Sequence, residues 1–219
     1  MSDYETEEQQ IEAIKEWWKE NGKSVLLGVA LGVGAIFSWT GWNSWKHGQA
    51  EAASDLYTQV TEVAASGDTD ELARLAASLR DDYKNSSFAA MSSLVEAKAL
   101  VKASRLDDAI KSLQWVIDNT ELEELKTVAE VRKARILLAS GQPDQALSSL
   151  PDPAPLAFTG LVAEAQGDIF AAKGDLEKAR EAYLKAQSNG TSVANPELLG
   201  IKIDDLAVPS AVDEKKDES

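Results

Sequence analysis

Few side chains in this chain of 219 residues have the chemistry to catalyse a reaction or to hold a metal. There is no cysteine, so disulfides, thiolate zinc sites and thiol catalysis are all excluded. His47 is the single histidine, which rules against both a Ser-His-Asp triad in the body of the chain and a histidine-based metal centre. Neither phosphate-cradling loop, GxxxxGK[ST] or GxGxxG, occurs. Carboxylate pairs do occur, at Asp107-Asp108, Glu123-Glu124 and Asp204-Asp205, and such pairs can serve general acid-base work. On amphipathic helices, however, charge runs of this kind are a solvated face or a first turn. The residues point to no catalysis and no cofactor. The net charge of −15 and the sequence pI near 4.5 also argue against nucleic acid, whose phosphates need clustered Lys and Arg.

What remains is recognition by contact. Lys98, Arg135 and Asp168 stand 37 and 33 residues apart, and they fall at equivalent positions of a repeating pattern. The pattern is set by turn-like pairs, Gly67-Asp68, Ser104-Arg105, Gly141-Gln142 and Gly174-Asp175, at intervals of 37, 37 and 33 residues. That period belongs to stacked helical hairpins, which cannot bury their apolar faces singly and so share a core with their neighbours. The stretch LVAEAQGDIFAAKGDLEKAREAYLKAQSN shows the unit best. It resembles the 34-residue tetratricopeptide repeat, with Gly167 and Ala179 at the close-packed small sites, Phe170 and Tyr183 at the apolar or aromatic sites, and Ala186 at the final small site. Thr191 stands where a closing proline is expected.

The preceding unit matches at Ala134, Leu137, Gly141, Ala146 and Leu150, but its PDPAP run must end the second helix early, because proline lacks an N–H and restrains the residue before it. Another unit matches at Ala97, Leu100, Ala109, Leu113 and Val116. The stretch around Gly67 reads as degenerate, although Leu56, Val60 and Val63 recur at helical spacing before it. Trp115 is expected in the core of a second helix. In this register Lys98, Arg135 and Asp168 face a groove, either as contacts for a partner or as a solvated surface. The neighbouring sites, Leu94, Val131 and Glu164, do not supply the Lys and Asn of a carboxylate clamp.

A different element must hold this array in place. From Ser24 through Trp45 no side chain is charged. As a helix, that stretch would run roughly 33 Å, enough for a hydrocarbon core of about 30 Å. Five of the six tryptophans flank it: Trp17 and Trp18 before, Trp39, Trp42 and Trp45 at its far end. Their amphipathic rings suit the two headgroup zones. An acid-rich leading region and the bulky SWTGWNSW that follows are unlike a cleaved signal peptide, so a retained transmembrane helix is predicted. Lys15, Lys19 and Lys23 precede it and only Lys46 follows before Arg74, which places the N-terminus in the cytoplasm and the repeats outside. Within it, Gly28 and Gly32, and Ala30 with Gly34, have the small-xxx-small spacing through which membrane helices pack closely; glycine is also simply common in such helices. Ile11, Ile14, Trp17 and Trp18 share one side of a preceding helix, which either lies along the membrane surface or forms the first turns of the anchor. Asn21-Gly22 is expected to end that helix.

The whole arrangement is similar to the YfgM family, through ENGK at 20–23, LGVGA at 31–35, the WNSW that ends at Trp45, and KIDDL at 202–206. The resemblance implies a single-pass protein of the bacterial inner membrane with a periplasmic repeat domain, ancillary to the Sec translocon. It implies as partners the translocon channel, a membrane-anchored periplasmic isomerase-like chaperone, and soluble periplasmic chaperones with their unfolded clients. It also implies restraint of a cytoplasmic stress-response regulator by the N-terminal segment, and it carries over no catalytic residue. A scaffold for cell division or wall synthesis is the alternative. The expected fold is all-α, a single N-terminal transmembrane helix followed by a short tetratricopeptide-like solenoid. Its expected parts are an acidic amphipathic segment (1–23), the anchor (24–45), the repeat domain (46–206) and a disordered acidic tail (207–219). With 19 basic against 30 acidic residues after Trp45, the exported part has net charge −11, which favours solubility and basic clients.

Overall fold

The computed structural model describes residues 4–189, 193 and 195–206, with side chains from residue 9. The predicted acidic tail and Thr191 lie outside the described residues. Among the described residues the secondary structure is helical throughout, with no strand. The chain divides into two compact units, Met1–Ala52 and Ala53–Ser219.

The first unit is helix, the greater part of α1 (Tyr4–Ser66). Leu26, Leu27, Val29, Leu31, Val33, Ile36 and Phe37 stand 47–73% exposed along it. So continuous an apolar surface is untenable in water and is what a bilayer would cover. By length and composition α1 holds the one stretch among the described residues able to cross a membrane. All five flanking tryptophans are also exposed, with the rings of Trp42 and Trp45 tilted against each other at 5.3 Å between centroids and the Lys46 ammonium 5.7 Å above the Trp42 ring. The helix does not stop at Asn21-Gly22 as the sequence suggested. Trp18 folds over Gly22, which is buried beneath its ring, and Asn21 Nδ2 donates back to Trp17 O at 3.1 Å. Both interactions hold residues four apart on a continuing helix, so these two residues stabilise the helix here.

In the second unit, the end of α1 pairs with α2 (Thr69–Asp82), α3 (Ser87–Lys102) with α4 (Leu106–Asn119), α5 (Glu123–Ala139) with α6 (Pro143–Ser148), and α7 (Thr159–Ala172) with α8 (Leu176–Ser188); α9 (Pro196–Asp205) packs against α8. Every turn position expected from the sequence carries positive φ: Gly67 at 86°, Ser104 at 59°, Gly141 at 74° and Gly174 at 78°. This left-handed residue lets the chain reverse, and after Ser104, Gly141 and Gly174 the following N–H reaches back five residues to close the first helix. Arg105 N donates to Leu100 O at 2.8 Å, Gln142 N to Leu137 O at 2.9 Å and Asp175 N to Phe170 O at 3.0 Å. Asp68 and Asp175 then cap the second helices through Glu71 N and Lys178 N.

The stretch around Gly67 also turns back on itself, though without the five-residue closing bond of the other three turns. Ala53 and Val60 of α1 are buried with Leu72, Leu75 and Leu79 of α2. Its apolar residues are ordinary helix-packing types, so only the contact partner, unseen in sequence, makes it a repeat. As expected, α6 is short, ending before Pro151. Trp115 is half-buried and wedged between the cores of the first and second hairpins.

The small sites anticipated in the sequence set the helix spacing. Ala97, Ala109, Ala134, Ala146 and Ala179 are no more than 2% exposed. Gly167 is the tightest, because a Cβ built there would lie 2.3 Å from the Tyr183 ring. Gly167→Ala is expected to cost about 2 kcal/mol through overpacking. Gly174→Ala, with open space around it but φ of 78°, is expected to cost about 1 kcal/mol from backbone strain alone. Urea unfolding followed by circular dichroism orders the two, and a neutral Gly167→Ala would show that the hairpin does not close this tightly.

Candidate protein-interaction site

The first helices of successive hairpins lie side by side, α3 against α5 and α5 against α7. They bring Lys98, Arg135 and Asp168 onto one row, and the structure then separates that row into two parts.

Lys98 and Arg135 are exposed and line the same hollow. Its floor is Ala97, Val101, Leu113 and Ile136, and Lys102 and Arg132 complete a basic rim; the volume is about 380 Å³. Arg132 Nη1 donates to Leu94 O at 3.4 Å, tying α5 to α3. Burial first, and then the neighbouring Arg135, lower the Arg132 pKa from its ordinary value. Two larger hollows, of about 550 Å³ beside Trp115 and about 510 Å³ beside Phe170, mix both signs of charge at their edges. The rim of the α3–α5 hollow carries one sign only, and it opposes the net acidity of the repeats.

Asp168 is not open to a partner in the same way. Its Oδ1 accepts from Tyr183 Oη at 2.8 Å and from Lys202 Nζ at 2.7 Å, and the same ammonium donates to Glu164 Oε1 at 3.0 Å. Glu164 is buried, and Arg135 Nη2 approaches its second carboxylate oxygen only to 3.9 Å, too far for a hydrogen bond. One lysine of α9 thus compensates two carboxylates of α7 that burial would otherwise penalise. Burial alone would lower the Lys202 pKa; the hydrogen bonds and charges of Asp168 and Glu164 outweigh it and leave the pKa raised. Burial, then the bond to Asp168, raises that of Tyr183. Lys202 was visible in the sequence only as part of KIDDL, with no repeat register to mark it.

In the anchor, Gly28, Gly32 and Gly34 have open space where a Cβ would stand, so nothing in the structure covers the small-residue positions.

Comparison with known proteins fixes the family. The profile described as a tetratricopeptide repeat-like domain matches residues 15–208. A protein of Escherichia coli (strain K12) named "Ancillary SecYEG translocon subunit" is 33% identical over 208 residues, 95% of this chain and all of the relative. The chain belongs to the YfgM family. Proteins of the same name from Haemophilus influenzae and Neisseria gonorrhoeae are 32% and 26% identical, over 85% and 94% of this chain and 91% and 100% of their own lengths. No solved structure matches.

Lys202→Met leaves Glu164 and Asp168 uncompensated and is expected to cost about 2 kcal/mol of stability. Below about pH 9 Lys202 and Tyr183 keep their protons in folded and unfolded chain alike. Above that the unfolded chain releases them first, because both folded pKa values are raised, so stability falls as pH rises further. Urea midpoints across this alkaline range should fall less steeply for a Lys202→Met, Tyr183→Phe chain than for the parent.

Proposed function

We propose that the chain is a membrane-anchored, non-catalytic protein-interaction subunit of the Sec translocon. The observation that carries this reading is the similarity along nearly the whole chain to curated relatives named ancillary SecYEG translocon subunits. In this reading residues 1–23 are cytoplasmic, 24–45 cross the inner membrane, and 46–206 stand in the periplasm. Lys15, Lys19 and Lys23 against Lys46 support that orientation. The repeat domain then receives polypeptides as they emerge. It passes them to soluble periplasmic chaperones together with a membrane-anchored isomerase-like chaperone, tethering having raised the local concentration of each. The cytoplasmic segment is free to restrain a stress-response regulator.

The glycine positions of α1 support helix-to-helix docking in the membrane, since Gly28 and Gly32 leave the helix backbone open to close approach. Gly28→Ile with Gly32→Ile is expected to reduce recovery of the translocon channel by about tenfold when the full chain is purified in mild detergent, with the helical spectrum unchanged. Recovery of wall synthases in place of the channel from the parent chain would sink the translocon reading and favour the scaffold alternative.

A further inference from the structure

The hollow between α3 and α5 gathers charge that the described residues do not balance. Three arginines away from the hollow find carboxylates, Arg74 with Glu71, Arg80 with Glu96, and Arg105 with Asp70 and Asp108, while Arg180 on α8 stands alone among the described residues. Around the hollow, Arg135 meets only Glu164, at 3.9 Å, and among the described residues Lys98, Lys102 and Arg132 form no ion pair. Four cations of two adjacent helices therefore share one rim, in a chain of net charge −15. Like charges held together on one rim repel. An incoming carboxylate would relieve that repulsion.

Charge alone would suit any anion. The floor is more selective, because Val101, 39% exposed, presents apolar surface inside the rim, with the edge of the buried Ile136 beside it. A site with an apolar floor and charged edges matches a ligand with an apolar anchor flanked by opposite charges. Phosphate or a nucleic-acid backbone would leave that floor unused.

We propose that this hollow receives a short acidic segment of a partner protein, in which a large apolar side chain sits on Val101 and Ile136 and flanking carboxylates pair with Lys98, Arg132 and Arg135. The average charge of the domain favours basic partners; this hollow selects the opposite kind. The inference rests on reading the repeats as a protein-interaction module, and it names the chemistry of one partner.

The test uses the full chain in nanodiscs and three short fluorescent synthetic peptides. All contain leucine, phenylalanine and serine, with glutamate, glutamine or lysine at the remaining positions. Binding of the glutamate peptide is expected, with affinity lost at least about tenfold for Lys98→Glu combined with Arg135→Glu, both exposed positions, and reduced by added salt. Val101→Asp should weaken it as well, with an unchanged helical spectrum. Equal binding of the lysine peptide, or undiminished binding by the double variant, overturns the proposal. So does binding that appears only after residues 207–219 are removed, which would assign the hollow to the chain's own tail. Self-association abolished by the same double variant would assign it to a second copy and overturn it too. A chain that recovers the translocon yet ignores the glutamate peptide refutes this assignment and leaves the proposed function standing.

Discussion

Within each helical hairpin of the repeat domain the chain reverses in two or three residues, and one of them turns left-handed; this reversal governs the domain. Gly67, Gly141 and Gly174 make it without a Cβ to strain, while Ser104 accepts φ of 59° at a cost of about 1 kcal/mol. The reversal fixes which faces meet. Alanine and glycine at those faces then decide how near the helices come, and the cores follow, from Val60 with Leu72 at one end to Ala179 with Leu199 at the other. Without the turns, the same apolar residues would have no neighbour against which to be buried.

The anchor obeys a different solvent. Its side chains from Leu26 to Phe37 find no cover in the protein, and two of its hydroxyls turn inward to the helix, Ser38 Oγ to Gly34 O at 2.8 Å and Thr40 Oγ1 to Ile36 O at 3.0 Å. Internal satisfaction of this kind is what a hydrocarbon environment demands of polar groups. Tryptophans at both borders complete the description of a helix able to span a membrane.

Much of this was legible before any coordinates. The four turn positions, the small residues at 97, 109, 134, 146, 167 and 179, and the uncharged helix were all readable, because each is a local requirement that leaves a fixed residue type at a fixed spacing. What was not legible depends on partners distant in sequence. That the stretch around Gly67 turns back on the end of a helix more than sixty residues long was one such case. Asn21-Gly22 looked like a helix end, but Trp18 covers the glycine and the helix continues. Asp168 looked like a groove contact until Lys202, 34 residues away, took it. Lys98 and Arg135 were placed on one row by register alone, but Lys102 and Arg132 belong to other positions of the repeat, and only folding brings all four to a single rim.

The central claim is that the repeats and the N-terminal segment stand on opposite sides of a membrane. The absence of cysteine makes it directly measurable. Single cysteines at Ser2 and at Ser188, which is exposed at the end of α8, would be exposed to a membrane-impermeant thiol reagent on intact spheroplasts. The account predicts labelling of Ser188→Cys and protection of Ser2→Cys. Labelling of Ser2→Cys alone would put the repeats in the cytoplasm and contradict it.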